Sequence, residues 1–239
     1  MYLIVARSLI VASLGISIAA CGGTKASDEP AAPEQPSVTP RMHKNVEVIA
    51  QMRFAVERGE LEEAQTRAHE LGTELKESNY PNGWAPHLAR VREAVAATKD
   101  SKGLFDAAIQ SARAGGACGT CHSAFGANAL KKEMEPLVAS PLPRTNFMTR
   151  HSWAAERLWE GLIGPSDERW NLGAKTLLET PVLDTSNMTP EMQSLGETLL
   201  AISKGAGAAT KTEQRERVYG EYLATCAACH STYNEQQAE

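Results

Sequence analysis

Aromatic residues are scarce: Phe, Trp and Tyr make up 5% of the 239 residues. β-Branched residues are few as well, while Ala, Glu, Leu and Arg recur throughout. Pleated sheets lean on the side chains that are missing, so the balance favours helices. There is no excess of positive charge. Lys and Arg number 24 against 29 Asp and Glu, a formal net charge of −5. Nucleic acid needs a clustered basic surface and is excluded as an expected partner. Beyond the N-terminus no run of 18 apolar residues occurs, so no later spanning helix is expected. Apolar residues still reach 42%, enough for the core of one or two domains.

Residues 1–20 have the form of an export signal. Arg7 precedes the apolar run Ser8 to Ala20, too short to span a bilayer and of the length of a signal-peptide core. The run closes Ile18-Ala19-Ala20-Cys21, followed by Gly22-Gly23. This resembles the lipobox of bacterial lipoproteins. The resemblance implies cleavage before Cys21, lipidation of that residue, and attachment to the bilayer on the periplasmic side of the envelope. The glycine after the cysteine is compatible with the outer membrane. Several acyl chains would hold firmly, each buried CH₂ contributing roughly 0.8 kcal/mol. Residues 21–40 hold Pro30, Pro33, Pro36 and Pro40 and read as a semi-extended tether.

Of five cysteines, four remain after Cys21, and they fall in two matching frames. These are Cys118-Gly119-Thr120-Cys121-His122 and Cys226-Ala227-Ala228-Cys229-His230. C-x-x-C-H is the attachment signature of c-type haem. Cysteines at i and i+3 share a helical face and reach the two vinyl groups of one haem, and the next residue offers an imidazole to the iron. A four-cysteine zinc site would bring such pairs within about 12–20 residues, whereas these are 108 apart. A thioredoxin-like pair would need a βαβ setting, which the helical surroundings do not offer. Two covalently bound haems c are therefore expected, with His122 and His230 as axial ligands.

Apolar stripes at helical spacing surround the motifs. Leu61, Ala64, Ala68, Leu71 and Leu75 form one; Leu88, Val91 and Val95 another; then Phe105, Ile109 and Ala112. The second part repeats them with Ala155, Leu158 and Leu162, with Met192, Leu195, Leu199 and Ile202, and with Val218, Tyr222 and Cys226. Helix breaks are expected at Gly59, Pro81-Asn82-Gly83, Asp100 to Gly103, Gly164-Pro165, Thr189-Pro190 and Gly205 to Gly207. Each half then reads as four helices with the haem motif on the fourth, and Gly59 and Gly164 mark matching ends 105 residues apart. The matching tails Ser123-Ala124-Phe125 and Ser231-Thr232-Tyr233 follow the motifs.

C-x-x-C-H-x-x-[F/Y] on the last helix of a four-helix unit resembles the class II cytochromes c, cytochrome c prime and its low-spin relatives. The resemblance covers residues 41–132 and 145–236. It implies an all-α fold of two tandem four-helix-bundle haem domains, 41–138 and 147–239, joined by a linker at 139–146. Nine residues follow His230 and hold neither Met nor His, so a sixth ligand is expected upstream. In low-spin members a Met early in the first helix takes that role. Counting back 16 residues from Gly164 and Gly59 reaches Met148 and His43. The expected axial pairs are His122/His43 and His230/Met148, with Met42 and His151 as alternatives. His87 is a minor candidate.

The function this implies is single-electron transfer between redox partner proteins of the cell envelope, without a separate catalytic constellation. A gas-binding protein or sensor with a five-coordinate haem is the alternative. A dihaem peroxidase, whose motifs lie near domain starts, fits poorly.

Overall fold

Pro40 and Pro86 sit in the first turns of their helices, where a proline's missing N–H costs no intrahelical bond. Ser166 and Thr189 cap two others, accepting the N–H of Arg169 and of Met192, both at 3.3 Å. With these starts and the apolar stripes, the chain builds eight helices and no strand among the described residues. The computed structural model describes residues 38–127, 143–180 and 189–238. The helices are α1 (Thr39–Glu57), α2 (Leu61–Glu74), α3 (Ala85–Lys99), α4 (Leu104–Ala124), α5 (Pro143–Ile163), α6 (Asp167–Glu179), α7 (Pro190–Ala208) and α8 (Thr212–Ala238). The fold is all-α. No helix among the described residues is long and apolar enough to cross a membrane. The signal segment 1–20, Cys21, the tether up to residue 37 and linker residues 139–142 lie outside the described residues. The end of the expected tether does not: Thr39 and Pro40 already belong to α1.

Neighbours in sequence pack together: α1 on α2, α3 on α4, α5 on α6, and α7 on both α6 and α8. The two helices that carry the C-x-x-C-H motifs, α4 and α8, lie against each other, and α1 and α5 flank them. Ser37–Glu239 thus forms one compact unit. The expected stripes supply its core: Ala64, Ala68, Leu71, Leu88, Val95, Leu158, Leu162, Val218 and Tyr222 are all buried. Two expectations fail. Phe105 is 63% exposed, because the face of α4 turned inward carries Ala107, Ala108, Ser111 and Ala112 instead. Gly205 and Gly207 do not break a helix; α7 runs on to Ala208.

α1 and α5 match with a different register from the one their glycines suggest. α1 ends at Glu57 and α5 at Ile163, 106 residues apart. At that spacing buried residues match: Asn45 with His151, Val48 with Ala154, Ile49 with Ala155, Met52 with Leu158, Arg53 with Trp159. Gly59 has φ +81° and turns the chain in the left-handed region, whereas Gly164 does not. The two glycines are not equivalents. The corrected register pairs Met148 with Met42, not with His43.

Candidate functional site

The first motif lies on the last turns of α4. Cys118, Cys121 and His122 line an apolar pocket that is partly open to solvent. Met42, Asn45 and Ile49 of α1, Leu71 of α2 and Leu75 just after it, and Trp84, His87 and Leu88 at and in α3 complete most of the wall. At its rim Phe125 stacks on Trp84 with centroids 5.0 Å apart and meets His87 edge-on at 5.2 Å.

Burial against these side chains pushes the Cys118 thiol up to about 12, with a smaller effect from neighbouring Cys121. Cys121 is raised by burial too. Both are neutral thiols at pH 7, unlike the thiolates of redox-active or metal-binding pairs. Among the described residues no three His, Cys, Asp or Glu side chains converge to hold a metal ion. The C-x-x-C pairs are therefore not joined in a four-cysteine cluster.

His122 is held from the other half of the chain. Its Nδ1 lies 2.7 Å from the carbonyl oxygen of Ile163, the last residue of α5. A carbonyl only accepts, so Nδ1 carries the proton, and in the neutral ring the lone pair is on Nε2. An imidazole in that tautomer is a ready axial ligand. Two thiols one helical turn apart, an oriented imidazole and an apolar pocket fit a flat covalent macrocycle such as haem c. Cys118 and Cys121 would hold it and His122 would bind its iron.

The second motif sits at the matching place on α8, and its burial follows the first residue by residue. Gly119 and Ala227 are buried, and the cysteines and histidines on either side are half-buried. Burial raises the Cys226 thiol well above the usual range, helped by the charge of Glu57. Cys229 is raised for the same main reason. The Tyr222 hydroxyl, which also contacts Cys226, donates to the carbonyl oxygen of His151 at 3.2 Å. The His230 ring has no counterpart to the Ile163 bond among the described residues.

The candidate distal residues divide. Met42 lines the first pocket, while its neighbour His43 is exposed on the outer face of α1. One position separates them, and a step of about 100° around a helix moves a side chain from a buried face to solvent. In the second half Met148 is 44% exposed and His151 is buried. His87 lines the first pocket; His69 is exposed. Sequence reasoning missed the role of Ile163, because a backbone carbonyl leaves no mark in side-chain patterns. A signal existed in Gly115, Gly116 and Gly119: glycine costs about 1 kcal/mol inside a helix and asks for a packing reason.

Compared with known proteins, the chain matches no family model, no curated protein and no solved structure.

Proposed function

We propose that the chain is a dihaem c-type cytochrome, anchored to the envelope membrane through Cys21, that passes single electrons between redox partner proteins. The observation that carries this reading is the first site: Cys118, Cys121, His122 and Met42 line one apolar pocket, with Nδ1 of His122 already engaged. In this reading each half is a four-helix unit with its motif on the last helix, packed as one body along α4 and α8.

Covalent haem supplies an iron that accepts and releases one electron without a bound substrate. The chain's part is to hold, shield and orient. Cys118 and Cys121 fix one group, Cys226 and Cys229 the other. Leu71, Leu75, Leu88 and Trp84 keep water from the first pocket, and a low-dielectric surround opposes charge on the ferric state. The distal candidates are Met42 and Met148, which hold the same position in the repeat; His43 is set aside because its ring faces solvent. The acidic surface suits docking to basic patches on partners.

Intact mass after acid–acetone extraction should retain two haem masses. Changing both Cys118 and Cys121 to Ala should remove one of them, and the Cys226/Cys229 pair the other. A chain that retains none rejects the reading. The rival, a haem open on one face and suited to a small gas, is favoured at the second site by the exposure of Met148. Rapid carbon monoxide binding to one of the two ferrous haems of the unaltered protein would place gas binding there.

A further inference from the structure

The end of α5 repeats the end of α1 but for one bond, since Pro165 stands where α1 is followed by Gly59 and has no N–H to give. After α1, the N–H groups of Arg58, Gly59 and Glu60 fold back to the carbonyls of Phe54, Val56 and Ala55. After α5, those of Gly164 and Ser166 reach Glu160 and Gly161, and no backbone N–H among the described residues donates to Ile163, as none does to Glu57 at the end of α1. Ile163 therefore offers one of the orphan carbonyls of a helix C-terminus, polarised by the helix behind it. His122 takes it at 2.7 Å.

The close approach depends on one residue. A Cβ built on Gly119 would stand 2.1 Å from the carbonyl oxygen of Leu162 and 3.6 Å from that of Ile163. These are backbone atoms of a packed helix and cannot turn aside. The same position in the second motif is Ala227, fully buried, so a methyl group there is compatible with the motif itself.

We infer that Gly119 is a positioning residue: by admitting the C-terminal carbonyls of α5 it lets Ile163 orient His122, and it thereby holds the first haem at a lower potential than the second. This rests on the dihaem reading. An imidazole that donates Nδ1–H to a carbonyl is a more basic ligand at Nε2 and favours ferric iron. His230, without such an acceptor among the described residues, is the weaker donor. The second half of the chain thus tunes the haem attached to the first.

The test is spectropotentiometric titration of the complete, haem-loaded protein. Gly119→Ala should raise the lower of the two midpoints and leave the upper one in place. Loss of one second-shell partner is typically felt at the tenfold level, which for a one-electron couple is about 59 mV. Ala227→Gly should move neither. Two retained haem masses with both midpoints unmoved in Gly119→Ala would overturn the inference while leaving the dihaem reading intact. A wild-type chain without covalent haem would overturn both. Should Gly119→Ala fail to fold, proton exchange in the diamagnetic ferrous carbon monoxide complex of the wild type decides. One of the two axial-histidine Nδ1–H signals should be protected and the other exchange quickly; equal rates would refute the proposal.

Discussion

In α1 the position of Asn45 holds a neutral amide whose Nδ2 donates to Tyr80 at 2.8 Å. The same position in α5 holds His151, buried and titratable. Two turns on, the matching residues are Arg53 and Trp159, and they face each other, the guanidinium 5.6 Å from the indole centroid. Two helices with the same register and the same pattern of burial thus differ where their buried side chains carry charge or dipole. The backbone repeat sets the places; the polar residues set them apart. Four predictions would break or sharpen that contrast.

The largest effect is expected from Arg53→Ala. Arg53 is 1% exposed and bonds Tyr219 at 3.1 Å and Glu156 at 2.7 Å, one on α8 and one on α5. Taking one partner from such a set typically costs about 3–5 kcal/mol, since the others lose their counter-charge or donor. Urea unfolding should show that loss. A change under about 1 kcal/mol would mean that Arg53 does not tie the halves together.

The second is a pH effect confined to one half. Burial, with a smaller contribution from Arg150, holds His151 down at about 4 against an ordinary value of 6.5. The folded chain keeps the ring neutral while the unfolded chain takes up a proton. Stability from this group is therefore complete above pH 6.5 and lost as pH falls towards 4, by roughly 3 kcal/mol in all. His151→Asn installs the residue of the first half and should flatten the decline between pH 6.5 and 4 in urea midpoints. An unchanged slope would show that His151 is protonated in the folded chain.

The third compares the paired methionines. Met42→Ala should tighten carbon monoxide binding at the proposed first haem about tenfold, or roughly 1.4 kcal/mol. Met148→Ala should do less, because Met148 is 44% exposed. Equal changes, or none, would remove the distinction between the two distal sides.

The smallest concerns the matching tails. Phe125→Ala forfeits the stack on Trp84 and should cost about 1 kcal/mol. Tyr233→Ala, at a residue 50% exposed, should cost a few tenths. A larger loss at Tyr233 would reverse the order of the two tails.

Much of this architecture was legible from residues alone, and the reasons can be named. Helices followed from stripes such as Ala64, Ala68 and Leu71, and the start of α7 from Thr189-Pro190. The sharing of one pocket by Cys118, Cys121 and His122 agrees with their spacing. The likeness of α1 and α5 was legible but its register was not. Glycine is a strong punctuation mark, yet only φ tells whether it turns the chain, and Gly59 does while Gly164 does not. That single residue of slip exchanged His43 for Met42. The packing of α4 on α8 was not legible either, since small residues such as Gly116 of α4 and Gly220 of α8 do not name their partners.

That packing has a consequence in time. The helix that covers α4 is the last of the eight, and 87 residues separate Ala124 from Thr212. At about 5–20 residues per second of synthesis, α4 waits on the order of ten seconds for α8 to appear. Through that interval the first motif has neither α8 beside it nor, at first, the α5 carbonyl that holds His122. The order of emergence leaves Cys118 and Cys121 in an unfinished core, and the last helix to arrive both closes it and brings the second pair of thiols.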